Sequence, residues 1–390
     1  MKKGWTEVAL GDVATVVSGA TPKTSEPEFW GGEIPWVTPK DLSDLDGGKY
    51  LAGTPRTLTA EGLKSCAASM LPAGSVLLSS RAPIGLVAIN QMPVATNQGF
   101  KSLVPRATLD PSYLYWWLRT HRRTLESLGR GATFKEVSKA IVEEVEIPLP
   151  PLEEQKRIAA ILDKADELLA KRRAAIAHLD SLTQASFSQR FRELMANGNP
   201  VELDTVIDAD RPVCYGILMP GPDLEGGRPY VRVVDMQDGG IGHEQVRRTS
   251  PEIDHQYRRS RLSAGDLLMS IRGHVGRLAV VPPELDGANI TQDSARLAVS
   301  GADSRFVLEQ LRHPMTQEWM RRNTKGAAVR GLNIGDLRRV PIFLAPMPEQ
   351  EAFAAVCRQV DLEAQPTREA AKRQNELTAT LQSRAFRGEL

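Results

Sequence analysis

The chain has 390 residues, more than one ordinary core of roughly 100 to 200 residues holds, so two or more domains are expected. A composition of 41% hydrophobic and 25% charged residues is that of a soluble globular protein. Forty-nine Lys and Arg against 48 Asp and Glu leave a formal charge of +1, which excludes polyanion binding driven by net charge and confines any nucleic-acid surface to local patches.

The opening MKKGWTEVALGDVATVV is basic at its start, but Glu7 and Asp12 interrupt the apolar stretch a signal peptide needs. No apolar run of about 18 residues follows anywhere, so a cytoplasmic protein outside the membrane is expected. Up to about Pro150, short apolar runs such as SVLLSS, GLVAI and FKSLVP alternate with Gly, Pro, Asn and Asp, and predict the strands of a mixed α+β domain. One helix interrupts them, Pro111 to Thr120, with Asp110 as N-cap and proline at its first position. After Pro151 the chain runs to about Ala196 without Gly or Pro. There Ile158, Ile161, Ala165, Leu168, Arg172, Ala175, Leu179 and Leu182 alternate three- and four-residue steps, predicting a long helix with a coiled-coil seam, widened by Leu162, Leu169 and Ile176.

From about Pro200 to Pro346 the strand pattern returns, with a helix at Ser304 to Arg312. The last segment offers Phe353, Val356, Val360, Glu363, Thr367, Ala370, Gln374 and Leu377, a weaker stripe in which Pro366 predicts a kink or break. The boundaries read as 1–150, 151–197, 198–346 and 347–390. If the two long helices pair antiparallel, the halves are related by an approximate two-fold axis across a spacer at most about 66 Å long.

An internal repeat underlies this order. IPLPPLEEQ (147–155) recurs as IFLAPMPEQ (342–350) at an offset of 195, half the chain. IPWVTPKDL answers RPYVRVVDM, placing Pro35 on Pro229 and Asp41 on Asp235. LPAGSVLLSSRAPIGLVAI answers LSAGDLLMSIRGHVGRLAV, so that Gly74, Arg81 and Gly85 fall on Gly265, Arg272 and Gly276. Thr96 matches Thr291 and Gly131 matches Gly326. The chain is a head-to-tail duplication of one unit.

No phosphate loop, H-E-x-x-H or G-x-S-x-G is present. Cys66, Cys214 and Cys357 lie too far apart for a C-x-x-C pair, and His121, His178, His243, His255, His274 and His313 contain no i, i+4 pair, so neither a catalytic nor a metal site is expected. Asp110-Pro111-Ser112-Tyr113 resembles the D-P-P-Y loop of adenine methyltransferases, but the second proline is missing and no Gly-rich methyl-donor turn precedes it; a capped helix start accounts for it better. Glu154-Gln155-Lys156 has the E-x-K of a nuclease, yet sits in the first turn of the long helix, where Glu153 and Glu154 complement the dipole.

Arginine comes in clusters: Arg119, Arg122, Arg123 and Arg130; Arg247, Arg248, Arg258, Arg259 and Arg261; Arg321, Arg322 and Arg330 with Lys325. Residues 196–390 hold 23 Arg and 2 Lys, against 12 of each in residues 1–195. Guanidinium groups grip phosphates bidentately and read guanine O6 and N7; GC-rich coding inflates arginine as well.

Over essentially the whole chain these motifs resemble the specificity (S) subunit of type I restriction-modification systems. The resemblance rests on GWTEVALGDVATVVSGATPK, IPWVTPKDL, LPAGSVLLSSRAPIG, ATNQGFKSLVP and, above all, GATFKEVSKAIVEEVEIPLPPLEEQKRIAAIL. It implies two mixed α/β target-recognition domains in pseudo-two-fold repeat, separated by two long helices forming an antiparallel coiled coil. It further implies a non-catalytic reader of a split, asymmetric sequence in double-stranded DNA, with the helices as a ruler. Two methyltransferase (M) subunits would dock on the helical core and restriction (R) subunits would join them. S-adenosylmethionine, ATP and Mg belong on those partners, with no cofactor in this chain. PMPEQEAF lacks one Glu of PPLEEQ and Pro366 interrupts the second helix, which departs from the family pattern.

Within the readers, Arg81 and Arg272 hold equivalent places between a strand and a Gly turn, and either face DNA or satisfy loop carbonyls. Thr21 and Lys23 of the GATPK loop, Lys40, Arg232, Arg247 and Arg248 are further phosphate or base candidates. Asn97, Gln98 and Gln292 pair with adenine or serve as structural amides beside strands. The helix candidates are Ile158, Ile161, Ala165, Leu168, Leu179 and Leu182, with Phe353, Val356, Val360 and Leu377. Two alternatives stand beside this reading: the S-like subunit of a combined enzyme that cuts on both sides of its site, and a protein-binding scaffold without DNA.

Overall fold

The computed structural model describes residues 4–131, 135–237, 240–242, 246–326 and 330–390. His243 and residues 132–134 of the long motif quoted above lie outside the described residues. The chain divides into two compact units, Met1–Arg172 with Glu369–Leu390, and Arg173–Arg368.

In the first unit, alternating apolar residues build a sheet of five strands in the order Ala14–Ser18, Lys101–Pro105, Val76–Leu78, Val87–Asn90 and Tyr50–Leu51, antiparallel except for the last pair. A second sheet places Trp30–Val37 between Thr57–Leu58 and Ala95–Thr96, the latter parallel through Trp36↔Ala95. Thr6–Ala9 pairs with Glu146–Leu149 and closes the unit beside its long helix. The helix Pro111–Thr120 starts where Asp110 Oδ1 accepts from the Tyr113 backbone N–H at 2.9 Å. That cap, with the proline after it, is what the D-P-S-Y segment does. The helix buries Tyr113, Trp116 and Leu118 against Leu10, Ile158 and Leu162.

The second unit repeats the plan. Ser294–Leu297, Leu267–Ser270 and Leu278–Val280 form an antiparallel sheet edged by Cys214–Tyr215. Arg228–Val231 lies between Arg247–Thr249 and Asn289–Ile290, again with the parallel pair in the same place, Tyr230↔Asn289. Val201–Glu202 pairs with Pro341–Ile342, and the helix Ser304–Arg312 is capped by Asp303. The paired glycines explain why the repeat is legible: Gly74 and Gly265 have φ of 84° and 88°, Gly85 and Gly276 of 81° and 90°. That left-handed backbone is open to glycine at little cost. The same turn follows each central strand, with Gly85 N–H donating to Ser79 O and Gly276 N–H to Ser270 O, both at 2.9 Å.

The long helices span Leu152–Arg190 and Met347–Ala385. In the first unit taken alone, Arg157 Nη2 donates to Leu390 O at 3.0 Å while Arg172 Nη1 donates to Ala370 O at 2.9 Å, so the two segments run antiparallel. In the second unit, Phe187 packs its ring 5.4 Å from that of Phe353, and Arg368 bonds Asp180 at 2.8 Å, again antiparallel.

The buried seam differs from the predicted one by a single step at alternate positions. On the first helix Ile158, Leu162, Ala165, Leu169, Ile176, Thr183 and Phe187 are buried, whereas Ile161 and Leu179 are half-buried and Leu168 and Leu182 are 38% and 49% exposed. On the second, Phe353, Cys357, Ala364, Ala371, Thr378 and Ala385 are buried, Val360 is half-buried, and Val356 and Leu377 are exposed. The four-then-three phase keeps Glu363 exposed, where Gln359 Nε2 donates to it at 3.0 Å, and so avoids the cost of burying its charge. The expected break at Pro366 does not occur, since the helix is continuous through it. Proline removes one backbone donor and frees the Leu362 carbonyl, which belongs to an exposed turn open to water. Ala364 on one side is buried, and Arg368 on the other bonds Asp361 and Asp180, so contacts flank the proline on both sides.

Candidate nucleic-acid interface

In the first unit the reading candidates converge on one loop cluster. Ala20 N–H donates to Thr96 O at 2.9 Å, Asn97 N–H to Val37 O at 3.0 Å, and Ser80 N–H to Gly99 O at 2.7 Å, so the loops after three strands meet. Thr21 Oγ1 donates to Gln98 Oε1, while Asn97 spends its Oδ1 on the Gly99 N–H at 2.9 Å and is a structural amide. Indole N–H groups pin the GATPK loop from beneath: Trp36 donates to Ala20 O and Trp30 to Lys23 O, both at 3.2 Å. The two rings meet edge-on at 4.9 Å, and the Arg56 guanidinium lies 4.1 Å and 4.7 Å from their centroids. Lys23 and Lys40 are exposed. Lys40 stands on a short helix, Pro39–Asp44, whose Thr38–Asp41 capping box is the reason for the TPKD motif.

Arg81 is not a free loop arginine. Its Nε donates to Glu136 Oε2 at 3.0 Å, and Lys101 Nζ takes Oε1 of the same carboxylate at 3.1 Å. Burial raises the carboxyl pKa, but hydrogen bonds and charge from Lys101 and Arg81 outweigh it and hold Glu136 below the ordinary carboxylate range.

The second unit builds the same cluster from different side chains. Gly216 N–H donates to Thr291 O at 3.3 Å, Gln292 N–H to Ile217 O at 2.9 Å, and Ile271 N–H to Asp293 O at 2.8 Å. Gly331 stands at offset 195 from Glu136, and the same bridges form around it: Arg272 and Lys325 to Gly331, as Arg81 and Arg130 to Glu136. Without the carboxylate, Arg272 turns to Gln292, with Nη1 donating to Oε1 at 2.9 Å. Both line a cavity of about 720 Å³ with Tyr215, Asp293, Lys325 and Asn333, and Tyr215 is half exposed at its edge.

Arg232 lies elsewhere in chemistry. Its guanidinium is bidentate on the buried Asp235 at 2.7 and 3.0 Å, and its backbone N–H also donates to that carboxylate, repeating the Thr38–Asp41 box. Arg247 and Arg248 are exposed on the strand Arg247–Thr249; Arg248 Nη1 donates to Gly227 O at 3.0 Å. Sequence reasoning passed over Arg56, Glu136 and Tyr215, and placed Lys325 only in a basic cluster. The offset of 195 that pairs Glu136 with Gly331 was the available signal for one of them.

Residues 2–178 match the family described as Type I restriction modification DNA specificity domain. Over 191 residues the chain is 37% identical to the Type I restriction enzyme MjaIX specificity subunit of Methanocaldococcus jannaschii, covering 48% of this chain and 44% of that relative, so this match spans less than half of the relative's length. To the Type I restriction enzyme EcoBI specificity subunit of Escherichia coli it is 25% identical over 433 residues, covering 99% of this chain and 86% of the relative. Among solved structures, the type I restriction-modification S subunit from M. genitalium is similar at a TM-score of 0.48 and 15% identity, over 98% of this chain and 96% of that one. The chain is a duplicated α+β unit with one loop cluster per copy and a long helix after each copy. Residues 2–178 belong to the type I restriction-modification DNA specificity domain family.

Proposed function

We propose that this chain is a DNA-sequence reader that binds a bipartite, asymmetric duplex site and catalyses nothing itself. The observation that carries this reading is the loop cluster built twice on one backbone plan, with Arg81 clamped by Glu136 in one copy and Arg272 paired with Gln292 in the other. Equivalent scaffolds with different side chains present equivalent surfaces to different half-sites. Arginine and glutamine are the side chains whose donor and acceptor pairs match guanine and adenine edges in the major groove. Linked readers gain affinity through effective concentration only when the spacing fits, which gives the paired helices the role of a ruler.

Two methyltransferase subunits carrying S-adenosylmethionine would dock on the helices, and restriction subunits using ATP and Mg would complete the endonuclease. The exposed Leu168, Leu182, Val356 and Leu377 are apolar positions available to such partners. Among the described residues no helix is long and apolar enough to cross a membrane, in keeping with work on DNA in the cytoplasm.

The test is genome-wide N6-methyladenine mapping in a host expressing the chain with its methyltransferase partner, against a host lacking the chain. A split asymmetric motif that depends on the chain is the expected result. Absence of any new motif, in cells where the partner is active with another specificity subunit, refutes the reading.

A further inference from the structure

The second unit carries a cavity of about 330 Å³ lined by Arg211, Arg258, Arg259, Arg261, Arg296 and Arg338, with Asp210 at its rim. Three of the six have carboxylate partners: Arg211 bonds Asp266 at 2.6 and 2.9 Å, Arg261 pairs with Asp254, and Arg338 approaches Asp204 at 3.5 Å. Among the described residues, Arg258, Arg259 and Arg296 have no ion pair. Arg258 and Arg259 are exposed on the short 3-10 turn Arg258–Ser260.

Arg296 is the unusual member. It is 3% exposed, and its Nη atoms donate to the carbonyls of Arg259, Arg261 and Pro212 at 2.7, 3.1 and 3.0 Å. Its Nε is buried with no hydrogen-bond partner. A guanidinium taken out of water without a carboxylate in direct contact is costly. Burial is the largest influence and lowers its affinity for its proton; Cys214, Asp266 and Asp208 oppose this and the neighbouring Arg211 charge adds to it, with a net lowering.

The first unit does not repeat this chemistry. Ser102 stands at the Arg296 position, since Leu103 pairs with Val76 as Leu297 pairs with Leu267, and it carries no charge. At the offset of 191, Arg258, Arg259 and Arg261 answer Ala67, Ala68 and Met70. The cluster is therefore a property of the second unit and not of the duplicated scaffold.

We infer that this cavity is a binding site for a tetrahedral oxyanion of the phosphate class, held by Arg258 and Arg259 from the rim and by Arg296 from the floor. A phosphate supplies the missing negative charge and acceptors for several guanidinium donors at once, and charge-assisted bonds of this type are about twice as strong as neutral ones. The phosphate comes either from a DNA backbone or from free solute, and the site stands whether or not the base-reading assignment is right.

Equilibrium dialysis of the full chain against radiolabelled orthophosphate, in a chloride background of fixed ionic strength, reads the site without DNA. Saturable binding is expected, with affinity falling by about tenfold or more in an R258A/R259A variant, because two charge-assisted contacts are lost. Both arginines are exposed, so the variant keeps its fold, which its unchanged melting in chloride verifies. A second arm measures binding of the same two proteins to an arbitrary DNA duplex across a salt series. A uniformly weaker affinity and a shallower salt slope in the variant assign the phosphate to the DNA backbone, whereas unchanged DNA binding assigns the site to a free anion. Phosphate binding that is absent, or equal in wild type and variant, overturns the proposal.

Discussion

Gln155 and Gln350 lie 195 residues apart and make the same contact in the two units: Gln155 Oε1 accepts from the Asp110 N–H at 2.8 Å, and Gln350 Oε1 accepts from the Asp303 N–H at 2.9 Å. Gln155 Nε2 donates to Thr108 O and Pro150 O, both at 2.9 Å, and Gln350 Nε2 donates to Ala345 O at 2.7 Å. Each glutamine is buried in the first turn of a long helix and ties it to the helix cap of its own α+β domain. That bond is the physical content of the E-E-Q and P-E-Q motifs.

Replacing Gln155 with Leu leaves three backbone groups without their partner, of which the Pro150 carbonyl is buried, and a buried unsatisfied group costs about 1–3 kcal/mol. Hydrogen exchange should show the Asp110 amide losing protection in Q155L while the Asp303 amide keeps it, and the reverse in Q350L. Equal loss at both sites in either variant contradicts a separate anchor in each unit.

The revised seam makes a second, sharper distinction. Leu162→Ala removes a fully buried side chain and should destabilise the protein by about 2–5 kcal/mol. Ala364→Leu overpacks a fully buried position and should cost about 1–3 kcal/mol. Leu182→Ser, at an exposed position, should change stability by no more than about 0.5 kcal/mol. Urea denaturation of the three variants checks the order, and a large loss in Leu182→Ser would restore the spacing-based seam.

Glu136 should titrate below the ordinary carboxylate value of about 4.3. Its pKa is lowered on folding, so the Arg81–Glu136–Lys101 clamp contributes stability above the unfolded pKa and loses it as pH falls through the folded one. Carboxyl carbon NMR of the selectively labelled residue gives the midpoint. Lys101→Met should move it upward, and a midpoint at or above the ordinary value in the wild type removes the clamp from the account.

Gly331→Glu should transplant the clamp. A Cβ at that position meets Ile271 O at 3.3 Å and Arg272 Cγ at 3.4 Å, a tight but open approach. The new carboxylate should draw Arg272 away from Gln292, and methylome mapping should then show an altered second half-site beside an unaltered first. A change in the first half-site alone would place the readers the other way round.

The order of elements, the duplication and the long helices were legible in the chain because they rest on local rules. Apolar periodicity, caps at Asp110, and glycines at 74, 85, 265 and 276 whose φ is positive carry their own signatures. The family motifs added the functional class. What remained illegible depended on which groups meet across long sequence separations. Arg81 and Arg272 occupy the same repeat position, yet Glu136, 55 residues away in sequence, clamps one, and its absence at Gly331 frees the other for Gln292. The helix seam was decided by burial against an antiparallel partner, which admits Ala364 and rejects Glu363, and local spacing alone does not weigh that choice. Pro366 reads as a breaker in isolation, but packing of the helix on either side of it outweighs one missing hydrogen bond. Local propensity is written in neighbouring residues, whereas side-chain pairing and the phase of a buried stripe are set by free energies that exist only once distant segments are in contact.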